Sequence, residues 1–273
     1  MIIQETCSLL KTKYKEKIEN LTISDVRAGI YLTALRLSDN SCGVASTMAN
    51  SHHECSKDKR DFGDFTPLKI KGQKVTGLLE TDNESGVIST LRIAALNAIS
   101  SGIISEPDYT ILHDTDPIDL VKPEPGKTVT LVGAFQSYIK RIEESGARLR
   151  VLELDEKALL SGQQQYYVPA GEYMKVIPDS EIIIITGMTL VNNTIDNLLY
   201  HVHRDSTVVV TGPSGSIIPD ILFEHNVKII GATRITNPEL LFEIAGEWGA
   251  GYHLFRYCAE KICVLGNGPN RVK

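Results

Sequence analysis

No uninterrupted apolar run in this 273-residue sequence approaches the ~20 residues of a membrane-spanning helix. A secretory signal is not expected either. Ile2 and Ile3 are followed at once by Gln4, Glu5 and Thr6, so the apolar centre of a signal never forms. Long runs of Lys or Arg are missing, and acids outnumber bases, 34 to 28, giving a net charge of −6. Both features argue against nucleic acid and anionic membrane as main partners. Cysteine is sparse and odd in number, with five widely spaced residues: Cys7, Cys42, Cys55, Cys258 and Cys263. That pattern does not suggest a disulfide framework, and reduced thiols in a cytoplasmic protein fit it. Asn192-Asn193-Thr194, formally a glycosylation acceptor, then has no use as one.

What is present is ordinary for a globular chain, with 42% hydrophobic and 23% charged residues. The chain is long enough to bury a sizeable core without a disulfide or zinc staple, in one or two domains. Residues 4–20 read as an amphipathic helix, with Cys7, Leu10, Tyr14 and Ile18 on one side. From 26 to 37 the texture is that of a strand. Asp39-Asn40-Ser41 supplies turn chemistry, and 42–45 reads as a returning strand. Residues 50–64 form a polar loop. Residues 86–101 make a helix with so little polarity that burial on several sides is expected.

Four prolines, Pro107, Pro117, Pro123 and Pro125, then fall among many acids between 106 and 126, the best linker in the chain. Beyond it, short β-branched runs near 128–133, 149–154, 181–187, 207–212, 228–231 and 261–265 alternate with helical segments. Alternation of this kind implies an α/β unit, a parallel sheet with helices on both faces. The expected organisation is an α+β domain over 1–105, a linker over 106–126, and the α/β domain over 127–273.

Ligands of an open parallel sheet bind at the carboxyl ends of its strands. Gly133 and Phe135 follow the first run. Glu153 ends the second, about 20 residues further on, where nucleotide-binding folds place a ribose-binding carboxylate. The further glycines of a dinucleotide fingerprint are missing. The competing reading is a tight turn at Gly133 with Glu153 capping nearby backbone. Thr186-Gly187 closes the third run, ahead of Asn193 and Thr194 at a helix start. There Asn193 and Asp196 make a capping pair, or else spare Asn and Thr groups and free N–H donors at the helix start point into a cleft. Gly212, Pro213 and Ser214 lie in a glycine-flanked loop able to cradle an anion through its backbone N–H groups. Asn97, inside the apolar helix, must find partners, either nearby backbone or a cleft between the halves. Cys42, His52, His53 and Cys55 are metal-type ligands close in sequence, but their spacing fits no zinc pattern.

Taken in order, several stretches resemble a known family. They are Leu91 to Ala98, Gly126 to Phe135, Val151-Leu152-Glu153, Val176 to Gly187, Asn193-Thr194 with Leu198-Leu199, and Thr211 to His225. The series is similar to the prokaryotic family named for heavy-metal chelation. The resemblance implies an N-terminal domain like that of enolase, a C-terminal Rossmann-like domain, and a site between them. Asn97, Gly133, Phe135, Glu153, Thr186, Gly187, Thr194, Gly212, Pro213 and Ser214 are the positions carried over.

The expectation is a cytoplasmic protein that binds a small polar or anionic ligand, including a heavy metal or metal complex, in the cleft between its domains. The alternatives are a transferase-type enzyme using a nucleotide-like cofactor and a non-catalytic ligand-binding module. A transition metal and a nucleotide-like molecule are both open as cofactors. Self-association into a homo-oligomer also stays open.

Overall fold

The computed structural model describes residues 1–48, 61–105 and 108–266. Strands β1 (Ile23–Ala28), β2 (Leu32–Leu37) and β3 (Cys42–Ser46) form an antiparallel sheet in that order. The stretch 26–37, which reads as one strand, is therefore a hairpin. Gly29 donates its N–H to the Leu32 carbonyl at 2.9 Å to close the turn. A Cβ at Gly29 would sit 1.9 Å from the Ala245 carbonyl oxygen, so only glycine allows that approach. The second turn behaves as expected. Asn40 takes a φ of +67°, and Asp39 Oδ1 accepts from the Ser41 N–H and hydroxyl.

The helix Gly86–Ile104 covers this sheet. Ser85 caps it, its Oγ accepting from the Ile88 N–H at 3.3 Å. By length and composition alone this helix could cross a membrane, yet it is mostly buried as the central helix of the fold. Gly43 of β3 makes the packing close. A Cβ there would meet the Ala94 carbonyl oxygen at 2.1 Å and the Ala98 nitrogen at 2.4 Å.

The second sheet has eight strands: β4 (Thr110–His113), β5 (Thr128–Val132), β6 (Arg148–Glu153), β7 (Tyr167–Pro169), β8 (Ile182–Thr186), β9 (Thr207–Thr211), β10 (Val227–Ile235) and β11 (Ala259–Leu265). Their order is β4-β11-β10-β9-β8-β5-β6-β7. The pairs from β10 to β7 are parallel, whereas β11 runs antiparallel to both β10 and β4. The expected parallel sheet thus carries an antiparallel edge. Helices Gln136–Ser145, Ile195–Tyr200 and Pro238–Gly246 fall where the alternation puts them. Central strands such as β5 and β8 are nearly all β-branched because both of their faces are covered.

One apolar core runs through both halves. It joins Leu10, Leu35 and Leu96 to Ile185, Val210 and Ile230, with the helix Gly86–Ile104 between the two sheets. A second core, with Leu131, Ile139 and Val151, lies under the helix Gln136–Ser145 on the other face. The segment read as a linker carries, over its described residues, β4 and the helix Pro117–Val121. Pro117 occupies the first turn of that helix, where its missing N–H costs nothing, and Asp116 caps the Ile118 N–H.

Candidate functional site

The chain passes from β5 to β6 on one side and then returns to place β8 on the other. At such a reversal the loops leaving the carboxyl ends part, and a crevice opens. A cavity of about 500 Å³ lies there. The turn after β5 forms one wall. Gly133 takes a φ of +104°, and a Cβ there would come 3.3 Å from Thr186. This bend brings Phe135 to the cavity, with its ring stacked on Tyr138 at 5.4 Å.

Glu153, at the end of β6, contributes the carboxylate. Its Oε2 accepts from the Ala134 N–H at 3.0 Å and its Oε1 from the Leu154 N–H at 2.7 Å. The carboxylate is therefore fixed by backbone and still lines the cavity. On the β8 side, Thr186 Oγ1 accepts from the Met188 N–H, and its carbonyl accepts from the Thr189 hydroxyl. Asn192 Oδ1 accepts from both the N–H and the hydroxyl of Thr194. Val132, Leu152 and Leu198 supply apolar wall. Glu153 is the one charged side chain among the described lining residues.

Gly133, Phe135, Glu153, Thr186 and Thr194 thus come together as the sequence suggests. Asn193 does not line the cavity; it makes the left-handed turn, φ +57°, that delivers Thr194. Asp196 is not its capping partner. Its Oδ1 accepts from the Ile2 N–H at 2.8 Å, tying the N-terminus to the α/β half. Sequence reasoning missed Tyr173, Asn192, Asn197 and Leu198. Asn197 was within reach, since it follows Thr194 by three residues and so shares its helix face.

Asn97, Ser214 and Gly187 are held in packed contacts away from the cavity. Asn97 donates its amide to the Val44 carbonyl at 2.7 Å and the Pro213 carbonyl at 3.0 Å, clipping the two halves together. Ser214 is buried, and its Oγ accepts from the Ser46 N–H at 2.8 Å. Gly187 packs on backbone, where a Cβ would lie 2.4 Å from the Gly215 nitrogen. The loop 211–216 is therefore a clasp rather than an anion cradle. Its Gly215 N–H turns inward to the Gly212 carbonyl, and Ser216 Oγ accepts from the Thr233 N–H. Part of the reason is long-range: Ser46 of the N-terminal sheet bonds Ser214, and Asn97 of the long helix bonds the Pro213 carbonyl. Gly212 and Pro213 line a second cavity on the far side of Phe135. The first cavity belongs wholly to the C-terminal half, its described lining lying within residues 132–198. It is not a cleft between the halves.

Of the metal candidates only Cys42 lies among the described residues. Cys42 is buried at the start of β3, where burial pushes its thiol up despite the opposing Arg36 guanidinium. His52, His53 and Cys55 lie outside the described residues. Among the described residues no three of His, Cys, Asp or Glu are grouped to hold a metal.

Comparison with known proteins places this geometry. An uncharacterized protein of Methanocaldococcus jannaschii is 23% identical over 240 residues, covering 86% of this chain and 87% of that one. A crystal structure of a protein of unknown function from Pyrococcus horikoshii superposes with a TM-score of 0.76 at 20% identity, covering 97% of this chain and 100% of that one. One from Desulfitobacterium hafniense gives 0.69 at 17%, covering 95% and 99%. These likenesses show a shared fold. Two family models carrying one description match residues 11–100 and 116–264, and the chain accordingly belongs to the family described as "Putative heavy-metal chelation".

Proposed function

We propose that the protein binds a small, partly apolar organic molecule that can itself hold a metal ion, in the crevice beyond β5, β6 and β8. The carrying observation is the lining of that crevice. It is roomy and largely apolar, with hydroxyl and amide groups at its edge and Glu153 as its single charge. A bare heavy-metal ion needs several soft or charged ligands, and one carboxylate does not make a cage. A metal arriving within an organic chelate needs shape, apolar contact and a few hydrogen bonds, which the crevice supplies. Glu153 suits a cationic group or a pair of hydroxyls. An anionic ligand meets no compensating charge there.

The test is untagged purification followed by mass spectrometry and elemental analysis. A metal and an organic molecule should co-purify in equal amounts. Asn197→Trp, at an exposed helix position, should fill the crevice and lose both while the protein stays folded. Retention of metal alone would overturn the chelate reading.

A second reading is a transferase with a nucleotide-like cofactor, favoured by the position of Glu153 beyond the Gly133 turn. Adenine nucleotides at 100-fold their dissociation constant would then add ~2.7 kcal/mol to stability. No shift in melting temperature would exclude it.

A further inference from the structure

The cavity on the far side of Phe135 is also about 500 Å³ and opens beyond the end of β9, over the middle of β10 and β11. Its chemistry is opposite to that of the first. Arg256 and Lys261 reach it, together with the aromatic side chains of Tyr138, Tyr252 and Phe255. The Lys261 ammonium is already matched, lying 2.5 Å from Asp116 Oδ2. Asp116 also accepts from the Tyr138 hydroxyl. Arg256 has no carboxylate within ion-pair distance among the described residues; it rests 5.2 Å from the Tyr257 ring and 3.4 Å from the Tyr252 hydroxyl. The cavity therefore carries one unmatched positive charge beside aromatic surface.

We propose that this second cavity binds a flat organic anion, its ring against Phe135 and Phe255 and its carboxylate or phosphate on Arg256. A guanidinium offers paired N–H donors that match such a group. Aromatic walls favour stacked or edge contacts with a ring. An inorganic anion would leave most of the volume empty, and a cation would be repelled. The site is separate from the crevice at Glu153 and does not depend on what binds there.

Calorimetric titration with 2-naphthoate and with its neutral counterpart 2-naphthamide tests the proposal. Naphthoate should bind about tenfold tighter, the scale of one charge-assisted hydrogen bond. Arg256→Gln, an exposed change, should erase that preference. Ser137→Trp at the exposed rim should block both compounds. Asn197→Trp, which fills the other crevice, should bind naphthoate like the wild type. The proposal fails if the two compounds bind equally or neither binds. It fails too if Arg256→Gln keeps the preference, if Ser137→Trp binds as before, or if Asn197→Trp loses naphthoate.

Discussion

Replacing Glu153 by Gln removes a charge while keeping shape, and the hydrogen bonds around it set the cost. The carboxylate accepts two backbone N–H groups, from part-buried Ala134 at 3.0 Å and exposed Leu154 at 2.7 Å. A glutamine amide has one acceptor oxygen. If it faces Ala134, the NH₂ group meets the Leu154 N–H donor to donor, and that N–H must turn to water. One charge-assisted bond, worth ~1.5–3 kcal/mol, is lost and the other becomes neutral. Because the Leu154 bond is exposed, the net loss should fall to about 1–2 kcal/mol. For a chain of this size that is roughly 2–8 °C in melting temperature. Thermal melts followed by circular dichroism would read it, and Glu153→Ala, which loses both bonds, should melt lower still. A Gln variant within ~0.5 kcal/mol of wild type would refute the reasoning, since that is the range of a surface change with no structural duty. Affinity for the co-purifying molecule should separately fall by ~1.5–3 kcal/mol where Glu153 touches it.

Asn97→Ala should cost about 2–3 kcal/mol in denaturant unfolding, because it strips one hydrogen bond from the buried Val44 carbonyl and one from the part-buried Pro213 carbonyl; ligand affinity in the crevice should not change. Burial alone would raise the Asp116 pKa, but the Lys261 ammonium and Tyr138 hydroxyl outweigh it and hold the carboxyl below its usual range. A depressed folded pKa gives stability that is present above the unfolded value and lost as pH falls through the folded one. Wild type should therefore lose more stability than Asp116→Asn between about pH 5 and pH 2, and parallel pH profiles would contradict the pairing. Burial pushes the Cys258 thiol up to about 11 and Cys263 to about 12. Alkylation of the native protein at mildly alkaline pH, read by peptide mapping, should spare both, and rapid labelling of either would show its burial to be wrong.

Local signals carried much of this fold. The apolar helix ending at Ile104, the β-branched runs and the Asp39–Ser41 turn all announce themselves within a few residues. What escaped depends on contacts distant in sequence. Ile30 and Tyr31 look like strand residues, yet they are exposed at a hairpin turn, and the Ala245 carbonyl that leaves room only for glycine at position 29 is more than 200 residues away in sequence. Strands β4 and β7 are short edge strands without an alternating pattern, and their pairing with β11 and β6 defines them. The site divided in the same way. Gly133, Glu153 and Thr186 were legible because strand ends mark ligand crevices. Asn97 and Ser214 were misplaced because each meets a polar group from the opposite half of the molecule, Asn97 the Pro213 carbonyl and Ser214 the Ser46 N–H. Asn97 shows the limit most plainly. A buried amide demands partners, but the demand itself does not say whether backbone or ligand will meet it.

The contact between Gly187 and Gly215 bears on how the crevice meets its ligand. The turn that carries Thr186 and Met188 rests directly on the backbone of the clasp, and the clasp holds the Ser46 N–H through Ser214. Along this line the link from β3 to the crevice wall runs through backbone and the short Ser214 side chain, which leave little room for movement. That wall is a fixed abutment rather than a flap. A molecule entering the crevice meets a surface already set on this side, and little ordering entropy is spent in shaping it.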